Sequence, residues 1–76
     1  MNPANQELDT RGLNCPLPIV KTRKILNGLQ SGDTLRVIAS DPGSVKDMDA
    51  FCQQTGHRLL DSQHANNEFV FVLQKH

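Results

Sequence analysis

A two-layer α/β sandwich is the fold class this 76-residue sequence predicts: four strands in one mixed sheet and two helices on one face, in the order βαβαββ. Three observations predict it. Two segments with helical spacing of apolar residues each lie between extended segments, which gives strand–helix–strand units with right-handed crossovers. The last two extended segments are joined by a short, hairpin-length connection whose turn is Ala65-Asn66-Asn67. The length supplies one small core and no second one, with about 60% of the unfolded chain's surface available for burial.

The elements follow in chain order. Residues 1–5 are polar, and a flexible start reaching to about residue 6 is expected before a single domain over 7–76. Glu7 to Asp9 fits a short strand, ended by Arg11-Gly12. After Asn14-Cys15-Pro16-Leu17-Pro18 the chain reads as helix to about Gln30. Pro18, Ile19, Thr22, Ile25, Leu26 and Leu29 fall on its core stripe, and Ser31-Gly32-Asp33 ends it. Thr34 to Ala39 is β-branched and apolar, a strand. Asp41 is the expected N-cap of the next helix, with Pro42 at its first position. Val45, Met48, Phe51, Cys52 and Thr55 share its inner face, Lys46, Asp47, Gln53 and Gln54 lie opposite, and Gly56 stops it. His57 to Gln63 and Glu68 to Gln74 form the hairpin. Phe69-Val70-Phe71-Val72-Leu73 is apolar on both faces, as an interior strand requires. With both helices on one side, the other sheet face is either an apolar contact surface or an ordinary surface that tolerates Val70 and Val72.

Composition excludes several classes. Three Phe and no Trp or Tyr leave too little bulk to wall a large enclosed cavity. Eight Lys and Arg balance eight Asp and Glu, against the net basic face of a dedicated nucleic-acid binder. The zero sum hides polarity: residues 1–38 carry five basic and three acidic residues, residues 39–76 three and five. No apolar run approaches the roughly 20 residues of a membrane span, and the first residues lack a signal peptide's basic start and apolar stretch, so the cytoplasm is the default compartment. His57, His64 and His76 are scattered without metal-ligand spacing, and no phosphate loop or nucleophile elbow is present, so neither metal nor cofactor is expected.

Two cysteines are too few for a disulfide scaffold and read as free thiols. Cys52, between Met48 and Phe51 on the inner stripe, reads as buried and inert. Cys15 stands just before a prolyl helix start, where the helix dipole and free amides favour thiolate. From the residues alone it is either a reactive thiol or a small apolar residue tucked under the loop.

The stretch Leu8-Asp9, Gly12-Leu13-Asn14-Cys15-Pro16-Leu17-Pro18, with Asp41-Pro42 before the second helix, resembles the TusA/SirA family of small sulfur-carrier proteins over roughly Glu7 to Lys75. The resemblance implies the same two-layer fold and a persulfide carried on Cys15, with Gly12, Leu13, Pro16 and Pro18 as scaffold. It implies a cysteine desulfurase or rhodanese-type donor and a DsrE/TusD-type or other thiol acceptor. Transfer then serves tRNA thiolation, cofactor maturation or oxidative sulfur metabolism. An already ionised Cys15 would need no general base, and none is evident nearby in the sequence. Leu17, Val20, Lys21 and Lys24 cluster on the outer side of the first helix, either a docking surface for an acidic-rimmed partner or an ordinary solvated face. Alternatives of other classes are a binding module touching RNA through Lys21, Arg23 and Lys24, and a single-cysteine redox sensor.

Overall fold

The computed structural model describes residues 6–76; the polar residues 1–5 lie outside them. The elements are β1 (Gln6–Thr10), α1 (Leu17–Asn27), β2 (Thr34–Ala39), α2 (Ser44–Thr55), β3 (Arg58–Ala65) and β4 (Glu68–Gln74). They form one four-stranded sheet in the order β1-β2-β4-β3. β1 runs parallel to β2, while β4 is antiparallel to both β2 and β3. The βαβαββ order and the mixed sheet are those expected from the sequence. β1 includes Gln6 and Thr10, one residue more at each end than the expected Glu7 to Asp9.

Strand alternation builds the core. Leu35, Val37 and Ala39 of β2 and Phe69, Phe71 and Leu73 of β4 point to one face and are buried there with Leu26 of α1 and Met48, Phe51 and Cys52 of α2. The opposite face carries Ile38, Val70 and Val72 at its centre, Ile38 paired with Val70 across the strands. Ion pairs flank them: Arg36 with Glu7 at 2.6 Å, and Arg11 with Asp9 at 2.9 Å and Glu68 at 3.2 Å. The face is therefore charged around a narrow apolar strip, with the two valines half-buried.

Boundaries of α1, β3 and α2 also differ from expectation. α1 ends at Asn27 rather than near Gln30, because the Gly28 and Leu29 amides turn back to the Ile25 and Leu26 carbonyls. The Gln30 amide then donates to the Asp33 carboxylate, and Gly32 donates to the Lys75 carbonyl. Leu29 still packs on the core from outside the helix. β3 runs on to Ala65 because only Asn66 and Asn67 make the turn, at φ of 54° and 62°, the two left-handed residues of a type I′ hairpin. Asp41 is not the N-cap of α2: Gly43 holds that position, and the Asp41 carboxylate bonds the Gly43 amide on one oxygen and the Cys15 amide on the other.

Candidate functional site

Two turns carry the chain from β1 to α1. Leu13 donates to the Thr10 carbonyl at 3.2 Å across a turn whose third residue, Gly12, has φ +83°, the left-handed value a type II turn needs there. Thr10 is wholly buried and its hydroxyl donates to the Ile38 carbonyl at 2.7 Å, while the Gly12 amide donates to the Ser40 hydroxyl at 2.8 Å. These bonds fix the loop to the end of β2. Next, Leu17 donates to the Asn14 carbonyl at 2.9 Å across a turn with a cis Cys15–Pro16 peptide. Pro16 is the N-cap of α1 rather than its first residue, and Pro18, whose missing amide would have had no intrahelical partner, lies buried in the first turn. Cys15 thus stands immediately before the N-cap of α1, exposed.

The loop after β2 reaches over to meet it. Asp41 Oδ2 accepts the Cys15 amide at 2.7 Å and Oδ1 accepts the Gly43 amide at 3.2 Å. Its carbonyl accepts the Ser44 hydroxyl at 2.6 Å. One side chain therefore ties the cysteine loop to the first turn of α2. From that turn Asp47 projects back, and the Cys15 thiol hydrogen-bonds its Oδ2.

Between the helices runs an open groove of about 220 Å³. Cys15, Pro16, Ile19 and Arg23 line it from the α1 side, and Asp47, Ala50, Phe51 and Gln54 from α2. The Arg23 guanidinium lies over the Phe51 ring at 5.6 Å. Asp47 and Gln54, expected on the solvent side of α2, border this groove instead. The spacing 47, 50, 51, 54 is a helical stripe next to the core stripe, and it is the one sequence signal that points to Asp47.

The electrostatics reverse the local expectation for Cys15. Its thiol is held above the ordinary value of 9.0, first by the hydrogen bond to Asp47, then by desolvation and by the charges of Asp47 and Asp41. The amide expected to favour thiolate is taken by Asp41. A helix N-terminus is worth about half a positive charge, and two carboxylates outweigh it. A thiol donating to a carboxylate is also stabilised in its protonated form. In place of the expected thiolate-favouring surroundings with no base nearby, the structure gives a raised thiol hydrogen-bonded to a carboxylate.

Of the other expected residues, Leu17 and Val20 are 45% and 54% exposed, and Lys21 and Lys24 are exposed on the same helix. Arg23 departs from Lys21 and Lys24 by covering Phe51. Leu13 is half-buried. Cys52 is 5% exposed, and burial, with the nearby Asp49 charge, pushes its thiol up to about 11. The two cysteines are not bonded to each other. Among the described residues no helix is long and apolar enough to cross a membrane.

Comparison with known proteins gives a consistent picture. The family model described as sulfurtransferase TusA matches residues 6–75. The sulfur carrier protein TusA of Allochromatium vinosum is 55% identical over 71 residues, 93% of this chain and 93% of that protein. The putative sulfur carrier protein YrkI of Bacillus subtilis is 40% identical over 72 residues, 95% of this chain and 96% of its own. In structure, the SirA-like protein of Desulfitobacterium hafniense superposes with a TM-score of 0.81 at 18% identity, over 91% of this chain and 95% of that one, a likeness of fold.

Proposed function

Starting from the fact that the chain belongs to the TusA family of sulfur carriers, we propose that it carries sulfane sulfur as a persulfide on Cys15 and delivers it to a partner's thiol in the cytoplasm. The observation that supports this reading is an exposed thiol immediately before a helix N-cap, lining an open groove of about 220 Å³ between the two helices.

The transfer balances without an external oxidant or reductant. The Cys15 sulfur bonds to the terminal sulfur of a donor persulfide, the donor's sulfur–sulfur bond breaks, and its electron pair leaves with the donor sulfur. Cys15–SH and R–S–SH become Cys15–S–SH and R–SH, and delivery to an acceptor thiol runs the same exchange in reverse. Donors of the desulfurase or rhodanese type and acceptors of the DsrE/TusD type fit this chemistry. Leu17 and Val20, apolar and exposed beside Lys21 and Lys24, suit a partner whose own cysteine has an acidic rim. Gly12, Leu13, Pro16 and Pro18 act as scaffold, holding the loop in place.

The test is incubation with a sulfane-sulfur donor and then intact-protein mass spectrometry. Added sulfur is expected in the native protein and in Cys52→Ser, and absent in Cys15→Ser. Sulfur uptake by Cys15→Ser would exclude the reading.

A further inference from the structure

A thiol held protonated is a poor nucleophile, because the thiolate is the attacking form. Cys15 has two carboxylates against it: Asp41, from the loop after β2, binds its amide, and Asp47, from α2, accepts the thiol hydrogen. The cation on the α1 side of the groove, Arg23, is engaged over Phe51. If ionisation before attack were the device, this arrangement would work against it. A carboxylate oxygen already accepting the thiol's hydrogen is instead placed to take the proton as the sulfur attacks, which is the geometric requirement of a general base. Asp41 Oδ2 is occupied by the Cys15 amide and Oδ1 by the Gly43 amide, so of the two carboxylates Asp47 has the access.

We propose that Asp47 is a catalytic residue of sulfur loading: its carboxylate accepts the Cys15 thiol proton during attack and returns it to the leaving thiol. This rests on Cys15 being the sulfur-bearing residue. As the Cys15 sulfur bonds to the terminal sulfur of R–S–SH, the S–H electron pair becomes the new bond and the proton passes to Asp47 Oδ2. The donor's sulfur–sulfur bond breaks with its electron pair on the leaving sulfur, and the protonated Asp47 neutralises that thiolate. The carboxylate is regenerated, so each transfer leaves the site ready for the next. The same neutral exchange, run backwards, unloads the carrier onto an acceptor thiol. Asp41 is a positioning residue: by holding the Cys15 amide and the first turn of α2 together it keeps the thiol against Asp47.

Two assays separate proton transfer from mere control of thiol ionisation. The first is single-turnover loading from glutathione persulfide, read by mass spectrometry between pH 6 and 10 on the order of seconds to minutes. The second is alkylation by iodoacetamide in Cys52→Ser background, which reports thiolate. Asp47→Asn removes the base and also the main cause of the raised thiol. Its alkylation at neutral pH should therefore be faster than wild type, while its sulfur loading should be slower by roughly 10²-fold. Its loading should also climb with pH along the thiol titration, and Asp47→Glu should recover part of the rate. Circular dichroism and thermal unfolding establish that both variants are folded. Loading by Asp47→Asn that is faster than wild type at neutral pH, as its alkylation is, would overturn the proton-transfer role, while sulfur uptake by Cys15→Ser would instead overturn the reading beneath it.

Discussion

Thr22 sits on α1 one turn beyond Pro18, wholly buried, and its hydroxyl has no hydrogen-bond partner among the described residues. Replacing it with valine keeps the branched shape and removes the orphaned group. Threonine and valine have similar helix propensities, so the backbone contributes almost nothing to the difference. A buried hydroxyl left unpaired costs about 1–3 kcal/mol, and since a hydroxyl can find partial relief by rotating, a gain of about 1 kcal/mol is the expectation for Thr22→Val. A chain of this size has a total stability of roughly 4–11 kcal/mol, so that gain is a sizeable share. It corresponds to a rise in Tm of about 4–8 °C. The assay is thermal and urea unfolding of both proteins, with sulfur loading measured alongside. Thr22 does not line the groove, so loading should be unchanged. An unaltered or lowered Tm would refute the reasoning, since it would mean that the hydroxyl finds a partner such as a bound water in solution.

Other expected outcomes concern the cysteine loop and the acid limb. Asp41→Asn should lower the alkylation midpoint of Cys15, because the Asp41 charge helps to hold the thiol protonated, but by less than Asp47→Asn, since the Asp47 hydrogen bond is the first cause. Gly12→Ala should destabilise by about 1–2 kcal/mol through backbone strain alone, because φ there is +83° and an added methyl would meet nothing within 4 Å; urea unfolding measures it. Leu26→Ala, at a fully buried position of α1, should cost about 2–5 kcal/mol, read as a fall in the urea midpoint. Asp9, held by its hydrogen bonds to Arg11 at about 2 against the usual 3.8, adds stability that is present above pH 3.8 and lost as pH falls toward 2. In Asp9→Asn the fall of Tm over that interval should be shallower.

Much of the fold is legible because its causes are local. The stripe from Pro18 to Leu29 names the buried face of α1, and all six of its residues are buried or half-buried. The apolar run Phe69 to Leu73 marks β4 as interior, and it lies between β2 and β3. The end of α1 is less legible because, after the Gly28 and Leu29 amides turn back on Ile25 and Leu26, the amides of Gln30 and Gly32 bond Asp33 and Lys75 instead of continuing the helix, and Lys75 comes from the far end of the chain. Asp41 misleads for a similar reason: an acid before a proline normally caps the adjoining helix, whereas here its carboxylate bridges the Gly43 amide and the amide of Cys15 in the cysteine loop.

By itself the sequence determined the element order, the buried stripe of α1 and the placing of one thiol directly before a prolyl helix start, while Val45, expected on the inner face of α2, is 38% exposed. The features so determined arise from periodicity and from the proline ring, which act over a few residues. Only the tertiary structure decided which charges surround that thiol and raise it above its ordinary value. Asp41 and Asp47 are 26 and 32 positions away along the chain, yet the crossover from β2 into α2 brings both against Cys15. Electrostatic interaction depends on distance through space and on the polarity between the groups, so a charge recruited from another element can outweigh the local helix dipole.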